Sequence, residues 1–161
     1  MQWTKYVIPF FIVYIIQLWS VEFLSLSAIR PDFCVLLVLY WSVRDGRFSG
    51  TIAGFIIGLL TDLSGTGSFF GLSPMVYSIT GYAGGYLNGL YTKLSPVYFT
   101  LSWIGILCFQ FLLSSLVIFQ DLLISDLPLF WFKWIASASY TLGFAGILQV
   151  IFPIFYQPLK Q

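Results

Sequence analysis

The side chains able to carry chemistry are few, and their scarcity narrows the possible reactions. The chain has no histidine, and its two cysteines, Cys34 and Cys108, fall in separate apolar stretches. A zinc or haem site, or a Ser/His or Cys/His nucleophile, therefore lacks its ligand set or its base. Both thiols read as small buried hydrophobes. What remains is a pair of carboxylates: Asp32 in Arg30-Pro31-Asp32, and Asp62, which closes Gly58-Leu59-Leu60-Thr61-Asp62. Two acids meeting at membrane depth are the minimum for protease-like or phosphatase-like acid–base work. Arg30 beside Asp32 favours a structural reading instead. An aspartate at the beginning of a helix faces the positive end of the dipole, so Asp32 is explained as a first-turn residue. Asp62 ends a helix, where the dipole opposes it, so it needs a donor or water. A pair between Arg30 and Asp62 across the outer ends of two helices supplies that donor; the alternative is two snorkelling surface charges.

The elements that must position these groups follow from composition. Of 161 residues, 59% are hydrophobic, 20% aromatic and 8% charged, which does not furnish a soluble surface. A net charge of +1 gives no footprint for nucleic acid. Apolar runs bounded by charge or by Gly, Pro and Ser clusters predict one all-α polytopic membrane domain over residues 1–161. Its six spans lie at about 6–26, 29–43, 49–63, 69–91, 97–120 and 130–155. The first reads as a retained signal anchor. The second is long enough if its helix begins near Ile29 with Pro31 in the first turn. A re-entrant hairpin made of the short second and third runs is disfavoured, because its tip would carry Arg44, Asp45 and Arg47 into the membrane. With both termini cytoplasmic, Lys5, Arg44, Arg47, Lys93 and Lys160 lie inside, and Arg30 and Lys133 outside, as the positive-inside rule asks. The acids sort the other way, with Glu22, Asp32, Asp62, Asp121 and Asp126 outside and Asp45 inside.

Small residues at four-residue spacing mark where membrane helices approach closely. Gly50, Gly54 and Gly58 share one face of the third span, and Gly81, Gly85 and Gly89 one face of the fourth. A weaker ladder is Ser137, Thr141 and Ala145, with Gly143 and Gly146 beside it. Each ladder serves either internal packing or the docking of a partner's membrane helix, and sequence leaves both open. The first span is bulky by contrast, with Trp3, Tyr6, Phe10, Phe11 and Tyr14. Gln17, Asn88 and Gln110 are the deep amides.

Several of these runs, taken together, resemble a known family. Arg30-Pro31-Asp32-Phe33, Tyr40-Trp41, Gly54-Phe55-x-x-Gly58-Leu59-x-x-Asp62 and Phe70-Gly71-Leu72 are similar to motifs of the rod shape-determining protein MreD family. The motifs cover about residues 29–87; the remainder matches in length and span layout. The resemblance implies a six-helix membrane fold similar to the substrate-binding membrane subunits of energy-coupling-factor transporters. It implies a bacterial inner-membrane protein that binds MreC, a bitopic protein with a periplasmic domain. It also implies a place in the elongation machinery with MreB, RodZ, RodA and a class B penicillin-binding protein, controlling cell shape and peptidoglycan synthesis without catalysis or cofactor. Candidate structural or partner-binding residues are Arg30, Pro31, Asp32, Gly54, Gly58, Asp62, Gly71, Gly81 and Gly85. The competing reading is a membrane binding or transport subunit for a small apolar or lipid-linked ligand. Transporter subunits of that fold dock through small residues on the first helix, and the bulky first span here departs from that pattern.

Overall fold

The computed structural model describes residues 4–23, 31–65, 69–90 and 93–151. Among the described residues the chain forms seven helices and no strand: α1 Thr4–Phe23, α2 Phe33–Asp45, α3 Arg47–Leu63, α4 Leu72–Gly85, α5 Pro96–Ile118, α6 Gln120–Ser125 and α7 Leu127–Ile151. Among these residues one helix, α5, is long and apolar enough by itself to cross a membrane, and Tyr6–Trp19 is a shorter apolar stretch.

The centre of the bundle is α2. Its 13 residues rise only about 20 Å, yet Cys34 through Leu39, together with Trp41, Ser42 and Val43, are buried. Helices on several sides cover it: α1, α3 and α4 pack against it, and α7 reaches it through Phe144, whose ring meets Phe33 edge-on at 5.2 Å. The third and fourth helices form the tightest pair, and α5 joins α4 to α7. On α5 the buried residues Phe99, Trp103, Leu107, Gln110, Phe111 and Ser115 recur every three to four positions, which is one helical face. Trp134 on α7 donates its indole N–H to the Cys108 carbonyl on that helix at 3.3 Å.

Three boundaries differ from the sequence expectation. The second helix begins at Phe33 rather than near Ile29, with Asp32 as its N-cap in an extended conformation (φ −112°, ψ 91°). Pro31 therefore precedes the helix instead of occupying its first turn. The reason is local: the Asp32 side chain accepts the Val35 N–H, and a capping carboxylate starts a helix more favourably than the residues before it. The fourth helix ends at Gly85, so Gly89 leaves the ladder and sits in the following turn with φ +72°. The expected last span, 130–155, begins a few residues earlier as α7, and the connection expected before it carries the short α6. The break at Phe119 (φ −112°, ψ 31°) carries neither glycine nor proline to announce it.

Candidate functional site

The start of α2 lies inside the bundle, not at its rim. It meets Gln17, which stands six residues before the end of α1, about 9 Å along that helix. It also meets Thr141, fourteen residues into α7 and about 21 Å from that helix's beginning. A helix that starts at depth exposes its first N–H groups where no water reaches them, so each must find an acceptor in the protein. The accounting closes. The Asp32 N–H donates to Thr141 Oγ1 at 3.2 Å. The Phe33 N–H donates to Gln17 Oε1 at 2.8 Å. The Val35 N–H donates to Asp32 Oδ1 at 3.0 Å, and the Cys34 N–H also faces that carboxylate. Gln17 completes its clamp by donating Nε2 to the Pro31 carbonyl at 3.0 Å. The second Asp32 oxygen accepts the Tyr77 hydroxyl of α4 at 2.7 Å. Side chains from α1, α4 and α7 thus converge on one residue and its neighbours.

Asp62 occupies the last turn of α3 and is buried. The donor that its place against the dipole requires is a backbone one: the Gly71 N–H reaches Oδ2 at 2.6 Å. Gly71 makes this possible by adopting φ +93°, a conformation that costs a side-chain-bearing residue but not glycine. Asp62 Oδ1 is shut off from solvent and has no hydrogen-bond partner among the described residues. Asp62 also lies within electrostatic reach of Tyr77, so the two carboxylates flank one phenol. Arg30, and with it the expected Arg30–Asp62 pair, lies outside the described residues.

The two glycine ladders face each other. A Cβ built on Gly50 would come within 2.7 Å of the Gly81 carbonyl oxygen, and one on Gly58 within 2.6 Å of Pro74 Cα. A Cβ on Gly54 would collide with the Tyr77 carbonyl, one on Gly81 with the Gly50 carbonyl, and one on Gly85 with Arg47 Cα. These are backbone atoms, so α3 and α4 touch main chain to main chain. Of the two readings of the ladders, internal packing is therefore the observed one for both. On α7, Thr141 and Ala145 are buried and Ser137 is half-buried, whereas Gly143 and Gly146 would meet nothing within 4 Å.

The other end of α2 is closed by the turn at Gly46 and by Asn88. The Asn88 amide donates to the Val43 carbonyl at 2.8 Å and to the Arg44 carbonyl at 2.7 Å. Gln110 is buried on α5, its Nε2 3.5 Å from Ser114 Oγ and its Oε1 without a partner among the described residues. Among those residues no group of three or more His, Cys, Asp or Glu side chains could hold a metal ion.

Of the residues singled out from sequence, the structure joins Pro31 and Asp32 into one cluster, Gly54, Gly58, Gly81 and Gly85 into a second, and Asp62 with Gly71 into a third. Tyr77 escaped the sequence reading. Its signal was present, because Tyr77 stands four residues before Gly81 and so shares the small-residue face of α4.

No curated protein matches the chain. No solved structure matches it either. The family model described as rod shape-determining protein MreD matches residues 1–159, nearly the whole length. It spans the capped start of α2, both faces of the glycine contact and the Asp62–Gly71 closure alike, and on that match the chain belongs to the MreD family of rod shape-determining membrane proteins.

Proposed function

We propose that this protein is a non-catalytic scaffold of the bacterial cell-elongation machinery. It crosses the inner membrane six times with both termini in the cytoplasm, and it binds MreC within the assembly that includes MreB, RodZ, RodA and a class B penicillin-binding protein. Through those contacts it helps to control peptidoglycan synthesis and cell shape. The observation that carries the reading is the match of the MreD family model to residues 1–159. The geometry supports it in a second way. One Asp32 oxygen caps α2 and the other ties α2 to α4, while the amide of Gln17 ties α1 to the start of α2. Large apolar side chains such as Phe48, Phe70 and Ile124, at 81%, 75% and 93% exposure, face outward, which suits a lipid solvent and partner helices.

The test is co-purification from membranes kept in native lipid, with MreC tagged and the chain at its natural level. A stable complex is expected, and loss of rod shape when the chain is depleted. Absence of any complex under these conditions refutes the scaffold reading. Turnover of a wall precursor by the purified protein refutes its non-catalytic part.

A further inference from the structure

Between α1 and α3, over the last turn of α2, runs an apolar groove of about 530 Å³. Tyr6 and Phe10 of α1 form one wall, Phe48, Ser49 and Ala53 of α3 contribute the other, and Asp45 stands at one end. Two features distinguish it from a surface that merely faces lipid.

The first is charge. Asp45 Oδ2 is closed off from solvent and accepts no hydrogen bond among the described residues. Its other oxygen is 3.9 Å from Arg44 Nε, a long pair. From α1 the Tyr6 hydroxyl faces the same carboxylate, within electrostatic and hydrogen-bonding reach, as a neutral donor that leaves its charge uncompensated. The two nearby guanidinium groups are drawn elsewhere: Arg44 Nη1 donates to the Tyr40 hydroxyl at 3.4 Å, and Arg47 lies over the Tyr86 ring at 4.5 Å. A carboxylate oxygen left without a donor in a closed place is costly unless a cation or strong donor arrives from outside.

The second is shape. Ser49 and Ala53 are small residues four apart, one position round the helix from the glycines that α4 already covers. Between the larger Phe48 and Ile56 they form a shallow notch in which another helix backbone can come close. From Phe48 to Ile57 the notch follows α3 for about 14 Å, some two and a half turns.

We infer that this groove receives a single transmembrane helix of a bitopic partner, whose Lys or Arg at the membrane edge pairs with the partly exposed Asp45 carboxylate. The inference rests on the scaffold reading above, with the Arg44–Arg47 turn on the cytoplasmic side. A helix entering from that side carries its basic residues at the level of Asp45 by the same positive-inside rule that orients this chain. An acyl chain would fill the notch but brings no donor to the carboxylate.

The test uses the full chain in membranes with MreC. A photoreactive phenylalanine analogue replaces Phe48 or Ile52 in the groove and, as controls, Leu101 on α5 or Ile135 on α7, all four exposed. The groove positions are expected to crosslink to the transmembrane helix of MreC and the controls are not. Asp45→Asn is expected to reduce the groove crosslink about tenfold or more. Asp45→Lys is expected to abolish it and to regain it when the partner's juxtamembrane basic residue is changed to Glu. MreC captured from α5 or α7 and not from the groove overturns the inference while leaving the scaffold reading intact. Lipid adducts alone at Phe48 and Ile52, with MreC still co-purifying, overturn it in favour of a lipid site. Loss of MreC co-purification from the unsubstituted chain removes the scaffold reading itself.

Discussion

Replacing Gly54 by alanine adds one methyl group in the main-chain contact between α3 and α4. That methyl would collide with the Tyr77 carbonyl oxygen and stand 2.6 Å from the Tyr77 carbonyl carbon, about 0.8 Å inside the 3.4 Å at which ordinary contact begins. Because the obstructing atoms are main chain, no rotamer change relieves the clash and α3 must move away from α4. Overpacking of this kind costs about 1–3 kcal/mol. The displacement also strains the Tyr77–Asp32 hydrogen bond, since the same residue supplies both the obstructing carbonyl and the donating hydroxyl. Gly105→Ala on α5 is the matched control: its methyl meets nothing within 4 Å, and helix propensity favours it by up to about 1 kcal/mol. The propensity gain is common to both helical positions, so the two chemically identical substitutions should differ by the clash alone, about 1–3 kcal/mol. Thermal unfolding in one detergent, followed by tryptophan fluorescence, measures the difference: Gly54→Ala is expected to melt below the native chain and Gly105→Ala at or above it. Gly54→Ala combined with Gly81→Ala should cost less than the sum of the two, because the separation forced by the first makes room for the second. A Gly54→Ala protein that melts with the native one, or a strictly additive pair, refutes the account of the ladder as a main-chain contact.

Tyr77→Phe leaves one oxygen of the half-buried Asp32 without its donor and is expected to destabilise by about 1–3 kcal/mol, with the loss shrinking when Asp32→Asn is already present; a thermodynamic cycle on melting temperatures reads the coupling, and equal losses in both backgrounds would contradict it. Gln17→Leu orphans the Phe33 N–H and the Pro31 carbonyl together and should cost about 2 kcal/mol or more; hydrogen exchange at Phe33 should rise, and unchanged protection there would refute the clamp. Asp62→Ala removes the acceptor for the Gly71 N–H and is expected to make the 64–71 connection susceptible to protease, whereas Asp62→Asn, which retains an acceptor oxygen, is expected to resist; equal cleavage of the two would show that this hydrogen bond does not hold the connection.

How legible this architecture was in sequence depended on whether the cause of each feature is local. The glycine ladders could be read because four-residue spacing places small residues on one face whatever surrounds them, and only the choice between inside and outside partners was open. Asp62 could be read as a residue in need of a donor because the helix dipole is local as well; that the donor is Gly71 requires knowing the turn that follows. The boundary at Asp32 differs by a few residues because the apolar run Phe33–Val43 is short for a crossing and Pro31 suits a first helical turn, which together favour a start near Ile29. The partners of Asp32 were less accessible still. Tyr77 is 45 residues away and Thr141 109, and neither belongs to a motif that names its target.

The depth at which α2 begins ties these observations together. A central helix of 13 residues cannot carry both its ends to the bundle's rims, so its first N–H groups open inside. Polar side chains on α1, α4 and α7 meet at that one place because the opened N–H groups and the capping carboxylate need partners there. The same convergence makes the place sensitive. Each of the three outer helices contributes a single hydroxyl or amide side chain to it, and the Tyr77 that binds Asp32 also has its carbonyl pressed against Gly54. A substitution at Asp32 therefore removes the cap of α2 and its tie to α4 together, and the contact between α3 and α4 is disturbed through Tyr77, whereas α1 and α7 hold backbone groups at the same place. Residues that carry no chemistry of their own, two glycines and a threonine among them, are held by the fold as tightly as the carboxylate is.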